Sequence, residues 1–191
     1  MSDIQNKWDE RYREAVGNYP EPALVLEQNQ HLLPKHGHAL DFACGLGANA
    51  LLLAKLGLQT QAWDISGEAL TKVAVEAKRR QLDVLTEQRD VSAAPPAKNS
   101  FDVIVVSHFL DRALCAQLVD ALKPNGLVFY QTFCRDKVEN KGPQNPEFLL
   151  ADNELLRLFA GLKIRAYREE NLLGDITQGW RNQAMLVAQK S

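Results

Sequence analysis

The stretch Leu40-Asp41-Phe42-Ala43-Cys44-Gly45-Leu46-Gly47-Ala48-Asn49-Ala50 constrains this chain more than any other. A short apolar strand ends beside an acidic residue, two glycines follow, and a helix begins. Glycine at a strand-to-helix turn lets the backbone take positive φ and lets a ligand approach closely, because no Cβ stands in the way. The surrounding pattern agrees with a ligand turn in an open sheet. From His38 onward, apolar runs of strand length at 38–43, 59–64, 84–89, 101–107 and 126–133 alternate with helical patterns at 48–56, 66–81 and 112–122, as βαβ units around a parallel sheet require. Gly57 ends the first of these helices, Ser66 caps the second, and Lys123-Pro124-Asn125-Gly126 stops the third.

The flanks are less regular. Ile4, Trp8 and Tyr12 recur at helical spacing behind an Asp3 cap over 3–15, and Pro22 leads a second helix to about Leu33. Residues 135–147 form a long polar loop with two prolines, a length that in a compact domain usually serves function or motion. A helix near 152–160 precedes two final β-like runs, 162–169 and 181–189. No helical pattern lies between those runs, so they are expected to pair antiparallel. The expected fold is therefore α/β: a Rossmann-like, doubly wound, mostly parallel seven-stranded sheet with an antiparallel C-terminal strand pair. We expect one domain over 1–191, with N-terminal helices at 1–34, a cofactor-binding core at 38–133 and a substrate-side region at 134–191.

Composition narrows the partners. With 22 Lys plus Arg against 24 Asp plus Glu, there is no basic excess to drive binding to nucleic acid. Three cysteines without metal-ligand spacing suggest neither a disulfide framework nor zinc, and Cys44 and Cys134 read as small buried residues. No apolar run approaches the roughly 20 residues of a membrane helix, and no signal-peptide core follows Met1. A soluble cytoplasmic protein without a metal, monomeric or homodimeric and acting on a small molecule, is the expectation.

Gly45-x-Gly47-x-x-Ala50 also satisfies the dinucleotide fingerprint, with Asp64 near the place of its ribose-binding acid. Two features point elsewhere. Asp41 interrupts the strand end ahead of Gly45, and the tail lacks further βαβ units. Acids at or just after the strand ends, Asp41, Asp64, Asp90 and Asp111, suit a cationic ligand bearing hydroxyl donors better than a polyphosphate.

Over roughly 38–133 the chain resembles class I methyltransferases that use S-adenosylmethionine. The resemblance is carried in order by Asp41-x-Ala43-x-Gly45-x-Gly47, Trp63-Asp64-Ile65-Ser66, Arg89-Asp90-Val91, Phe101-Asp102-Val103-Ile104 and Leu122-Lys123-Pro124-Asn125-Gly126. Trp8-Asp9-x-Arg11-Tyr12, Tyr130-Gln131-Thr132-Phe133, Asn145-Pro146-x-Phe148-Leu149-Leu150 and Glu154-Leu155-Leu156-x-x-Phe159 are similar to small bacterial methyltransferases of the tellurite-resistance type. Ala43 departs from the fullest family pattern, which has glycine there.

The resemblance implies that Asp64 and Ile65 bind the ribose side of the cofactor and that Gly45 and Gly47 bring backbone to its methionine part. Asp41 either faces the cofactor ammonium or ties down the loop, and Asp90 with Val91 meets the adenine or simply turns the chain. Ser107 ends the fourth strand at the cofactor. His108 either takes a proton from the nucleophile or packs beside the adenosine, Arg112 either binds an anionic substrate group or covers a helix start, and Tyr130 is a substrate-side candidate. The helix bearing Trp8 and Tyr12 is expected to fold over the cofactor as a lid, hinged at Gly17 to Pro22, with the 135–147 loop as its second part. The implied activity is in-line methyl transfer to a thiol, metalloid oxyanion or other small nucleophile. A cofactor-binding or partner-binding module without catalysis, and a nicotinamide-dependent oxidoreductase, stand as alternatives.

Overall fold

The computed structural model describes residues 3–15 and 19–191. Its centre is a seven-stranded sheet built from β1 (His38–Phe42), β2 (Gln59–Asp64), β3 (Val84–Gln88), β4 (Phe101–Ser107), β5 (Leu122–Phe133), β6 (Lys163–Arg168) and β7 (Gln183–Gln189), in the order β3-β2-β1-β4-β5-β7-β6. The first five strands are mutually parallel, and β7 lies antiparallel between β5 and β6. The helices are α1 (Asp3–Glu14), α2 (Leu24–Asn29), α3 (Ala48–Lys55), α4 (Gly67–Arg79), α5 (Cys115–Ala121) and α6 (Glu154–Leu158).

The central strands are apolar on both faces because both faces are covered. On one side Leu40, Phe42, Ile104, Val106, Val128 and Tyr130 pack with Leu118 of α5 and Phe159. On the other, Ala39, Val103, Val105, Phe129 and Val187 pack with Val25 and Leu26 of α2 and Leu53 of α3. The pleat alternates side chains between these layers. Chain order reverses between β1 and β4, so the crevice at their carboxyl ends is where an open α/β sheet takes its ligand.

The expected elements recur with five departures. Pro22 is not the first helical residue: α2 starts at Leu24, because the Ala23 N–H donates to Asn49 Oδ1 at 2.8 Å and holds Ala23 extended. The helix then tightens to a 3₁₀ turn over Gln30–Leu32. Residues 112–114 likewise form a 3₁₀ turn, capped by Asp111 Oδ1 accepting from the Ala113 N–H, before α5 proper. The turn at Lys123-Pro124-Asn125-Gly126 exists, but it bulges out of β5, which is already paired with β4 at Leu122. Asp3 is the first residue of α1 rather than its cap, and the cap position falls on a residue outside those described. Of the expected hinge at Gly17 to Pro22, Gly17 and Asn18 also lie outside them.

Candidate active site

The turn after β1 is left-handed at Ala43 (φ 54°), Gly45 (φ 53°) and Gly47 (φ 70°). A Cβ at Gly45 would stand 2.7 Å from the Tyr12 hydroxyl, and one at Gly47 would stand 2.7 Å from Val73 of α4. Gly47 thus permits helix packing, whereas Gly45 leaves a cradle on the ligand side, covered by Tyr12. Ala43 accepts the cost of a left-handed alanine, about 1 kcal/mol.

Asp64 closes β2 beside this cradle. Its Oδ2 accepts from the Gly45 N–H at 2.8 Å and its Oδ1 from the Ser66 N–H at 2.9 Å. Burial raises its pKa against these bonds. Asp41 is completely buried, accepting from the Ala50 N–H at 3.0 Å and from Asn49 Nδ2 at 3.3 Å. Burial is the largest influence there too, and its pKa is raised to about 7. Among the described residues no cation pairs with either carboxylate. The turn therefore ties down its own loop through the buried Asp41, while Asp64 stands beside the cradle with its carboxylate held by backbone N–H groups rather than by a cation.

Asn49 is the residue that pattern reading passed over. Only 3% exposed, it accepts from the Ala23 N–H and donates through Nδ2 to Asp41 and, at 3.0 Å, to Ser107 Oγ. It joins the glycine turn, the end of β4 and the start of α2. A polar side chain on the first turn of a helix that is otherwise apolar up to its final Lys55 was its only sequence signal.

Helix α1 lies across this region. Asp9 Oδ1 accepts from the Ser66 hydroxyl at 2.6 Å, and Lys72 Nζ donates to the carbonyls of Tyr12 and, at 2.6 Å, Ala15. Trp8 and Tyr12 stack with ring centroids 5.7 Å apart, while Ile4, expected in the same stripe, stays 62% exposed. Burial, then the charge of Asp64, raises the Tyr12 pKa. Ile65 contributes its carbonyl to Gln88 Nε2 at 3.1 Å. Asp90 is exposed and accepts from the Ser92 N–H at 3.0 Å in a local turn, and Val91 is buried behind it.

At the end of β4, His108 takes a left-handed backbone (φ 56°), with its N–H donating to the Gln131 carbonyl at 2.9 Å. Its ring centroid lies 5.1 Å from that of Phe133. The residue is exposed to solvent, and partial desolvation by the protein around it holds its pKa below the ordinary value.

Two substrate-side expectations take different places. Tyr130 is 1% exposed, donates to the Phe109 carbonyl at 2.9 Å and packs on Phe159. The pleat turns it into the α5 layer and sends its neighbour Gln131 to the opposite side. Arg112 donates two hydrogen bonds to the Glu154 carboxylate, at 2.6 and 3.0 Å, and donates to the carbonyls of Glu147 and Leu149. Its guanidinium is committed to clamping the segment before α6.

Residues 39–126 match the methyltransferase domain family. With this sheet order and glycine turn, the chain is similar to S-adenosylmethionine-dependent methyltransferases and shares their fold. Among characterised relatives, it is 32% identical over 146 residues to a ubiquinone biosynthesis O-methyltransferase of Albidiferax ferrireducens, covering 71% of this chain and 57% of that protein. It is 27% identical over 138 residues to a probable S-adenosyl-L-methionine-dependent methyltransferase, TehB, of Haemophilus influenzae, covering 68% and 47%. The chain thus spans about half the length of these relatives. The crystal structure of Haemophilus influenzae TehB superposes with a TM-score of 0.71 at 19% identity, over 98% of this chain and 67% of that one, which establishes the shared fold.

The family's cofactor is S-adenosylmethionine, and the residues fit it. The Cβ-free cradle at Gly45, the buried Asp64 beside it and the absence of a pairing cation suit a cationic, hydroxyl-bearing guest. Among the described residues no helix is long and apolar enough to cross a membrane, and no His, Cys, Asp and Glu cluster could hold a metal ion.

Proposed function

We propose that this chain transfers the methyl group of S-adenosylmethionine to a small-molecule acceptor by in-line displacement. The observation that carries the reading is the Asp64 carboxylate, buried at the lip of the Gly45 cradle with no cation to satisfy it. Asp64 would receive the ribose hydroxyls, the Gly45–Gly47 backbone would face the methionine part, and Asp90 with Val91 would border the adenine. Ser107 would close the cradle from β4. Trp8 and Tyr12 on α1, already seated over the turn, would serve as the lid that excludes water. When bound, the cofactor supplies an electrophilic sulfonium methyl. The chain's own part is alignment of the acceptor and a water-poor site.

His108 is the candidate base. A histidine held at positive φ is costly and persists where its surroundings over-determine it, as the Gln131 carbonyl does here. A depressed pKa keeps its imidazole neutral and able to accept a proton near neutral pH. A cavity of about 570 Å³ opens beside Gln131, Gln183 and the Val138–Glu139 part of the loop, with His108, Arg112 and Tyr130 outside its lining.

Calorimetry with S-adenosylmethionine and S-adenosylhomocysteine tests the reading. Micromolar to submillimolar binding is expected, and Asp64→Ala should weaken it by about 1.5–3 kcal/mol, roughly ten- to a hundredfold. Unchanged affinity in that variant would remove Asp64 from the site, and no binding by the parent protein would end the proposal.

A further inference from the structure

Helix α1 is fastened to α4 at two points. At the first, Asp9 Oδ1 accepts from the Ser66 hydroxyl at 2.6 Å and from the Glu68 N–H at 3.3 Å. At the second, Lys72 Nζ donates to the Tyr12 carbonyl, to the Ala15 carbonyl at 2.6 Å and to the Arg13 carbonyl at 3.4 Å. The last carbonyls of a helix have no partners within it, and a cation near them complements the helix dipole. Lys72 thus caps α1 from a neighbouring helix. Tyr19, further along the chain, returns to the same residue, its hydroxyl donating to the Lys72 carbonyl at 2.9 Å. Little else holds α1. None of its 12 residues is fully buried, and the Arg13–Glu68 ion pair is solvent-exposed and therefore weak.

The first fastening shares a residue with the cofactor turn. Ser66 is completely buried, and three bonds meet on it. Its N–H donates to Asp64 Oδ1 at 2.9 Å, its hydroxyl oxygen accepts from the Ala69 N–H at 3.2 Å as the cap of α4, and its hydroxyl proton goes to Asp9. A shift of Ser66 is therefore felt by Asp64 and by α1 together. Tyr12 stands between the two fastenings, with its hydroxyl 2.7 Å from where a Cβ on Gly45 would lie. The phenol closes the cradle from the α1 side.

We propose that Lys72 and Asp9 are positioning residues for the cofactor: they hold Tyr12 over Gly45, and α1 must release both contacts before the cradle can be loaded or emptied. The proposal rests on the methyl-transfer reading above and adds the groups that shut the cover. A helix seated by polar contacts exchanges them readily for water, which places α1 at the low-stability end of the structure, where moving elements are found. Weakening the seat should then act chiefly on how fast the ligand leaves.

The test compares the parent chain with Lys72→Met, Lys72→Arg, Asp9→Ala and Arg13→Met. Dissociation of S-adenosylhomocysteine is followed by stopped-flow displacement, and hydrogen exchange of α1 is measured with and without that ligand. Lys72→Met and Asp9→Ala should each speed dissociation at least about tenfold, while Lys72→Arg, whose guanidinium can still donate to the same carbonyls, and Arg13→Met stay within about threefold of the parent. In the parent, the ligand should slow exchange of the α1 amides. Dissociation unchanged in both Lys72→Met and Asp9→Ala overturns the proposal, as does equal acceleration by Arg13→Met. Should a variant fail to fold, the parent alone decides: α1 exchange indifferent to bound S-adenosylhomocysteine overturns the proposal. A parent chain that binds neither S-adenosylmethionine nor S-adenosylhomocysteine overturns the methyl-transfer reading instead.

Discussion

Asn49→Leu tests the claim that one buried amide organises the site. Leucine is close in size, so the substitution removes hydrogen bonds without opening a large cavity. The Ala23 N–H, in a residue only 7% exposed, loses its acceptor. Asp41 keeps the Ala50 N–H but loses the amide, and it remains fully buried. Ser107 Oγ is half-buried and can turn to water. Two stranded buried groups at about 1–3 kcal/mol each predict a loss of about 2–6 kcal/mol in urea unfolding at pH 8. The pH dependence carries a second signature. The folded-state pKa of Asp41, about 7, is raised above its ordinary 3.8. The folded protein therefore holds more protons between those values, and this group's contribution to stability falls as pH rises from about 4 to about 7. The Asn49 bond lowers that pKa, so its removal should extend the decline to higher pH. A loss below 1 kcal/mol together with an unshifted pH profile would refute the reasoning.

Gly45→Ala places a Cβ 2.7 Å from the Tyr12 hydroxyl at φ +53°, so it should weaken S-adenosylmethionine binding at least tenfold and expose α1 to proteolysis, as calorimetry and limited digestion would show. Tyr130→Phe deletes only the bond to the Phe109 carbonyl and should cost about 1 kcal/mol in chemical denaturation while leaving acceptor KM unchanged. Arg112→Met should cost about 2–4 kcal/mol by stranding the half-buried Glu154, with cofactor affinity intact by calorimetry. With a hydroxyl acceptor, the rate should fall on acidification as His108 protonates, with an inflection below its ordinary 6.5, and His108→Gln should abolish that limb of the profile.

The sheet was legible because buried parallel strands and their helices have different periods. His38–Phe42 and Phe101–Ser107 read as strands from unbroken apolar runs, and each element between them declared its cap or its terminal glycine. Side-chain destinations were not legible in the same way. Whether Tyr130 or Gln131 faces the acceptor side depends on a register of one residue, set by pairing Tyr130 with Val106. Arg112 was ambiguous because its partner Glu154 lies 42 residues further on. Asn49 carries no motif, and its importance lies in whom it touches when the chain is folded.

Asn182 has the backbone of a left-handed turn (φ 67°), and its single side-chain oxygen accepts from both the Val138 and Glu139 N–H groups, at 2.7 and 3.0 Å. Two loops far apart in sequence are thus fastened by one atom. Ordering either loop makes ordering the other less costly in entropy, so the two behave as one cooperative unit rather than two independent flaps. A sequence change in one would then be felt by both, since neither can be exchanged without unfastening its neighbour.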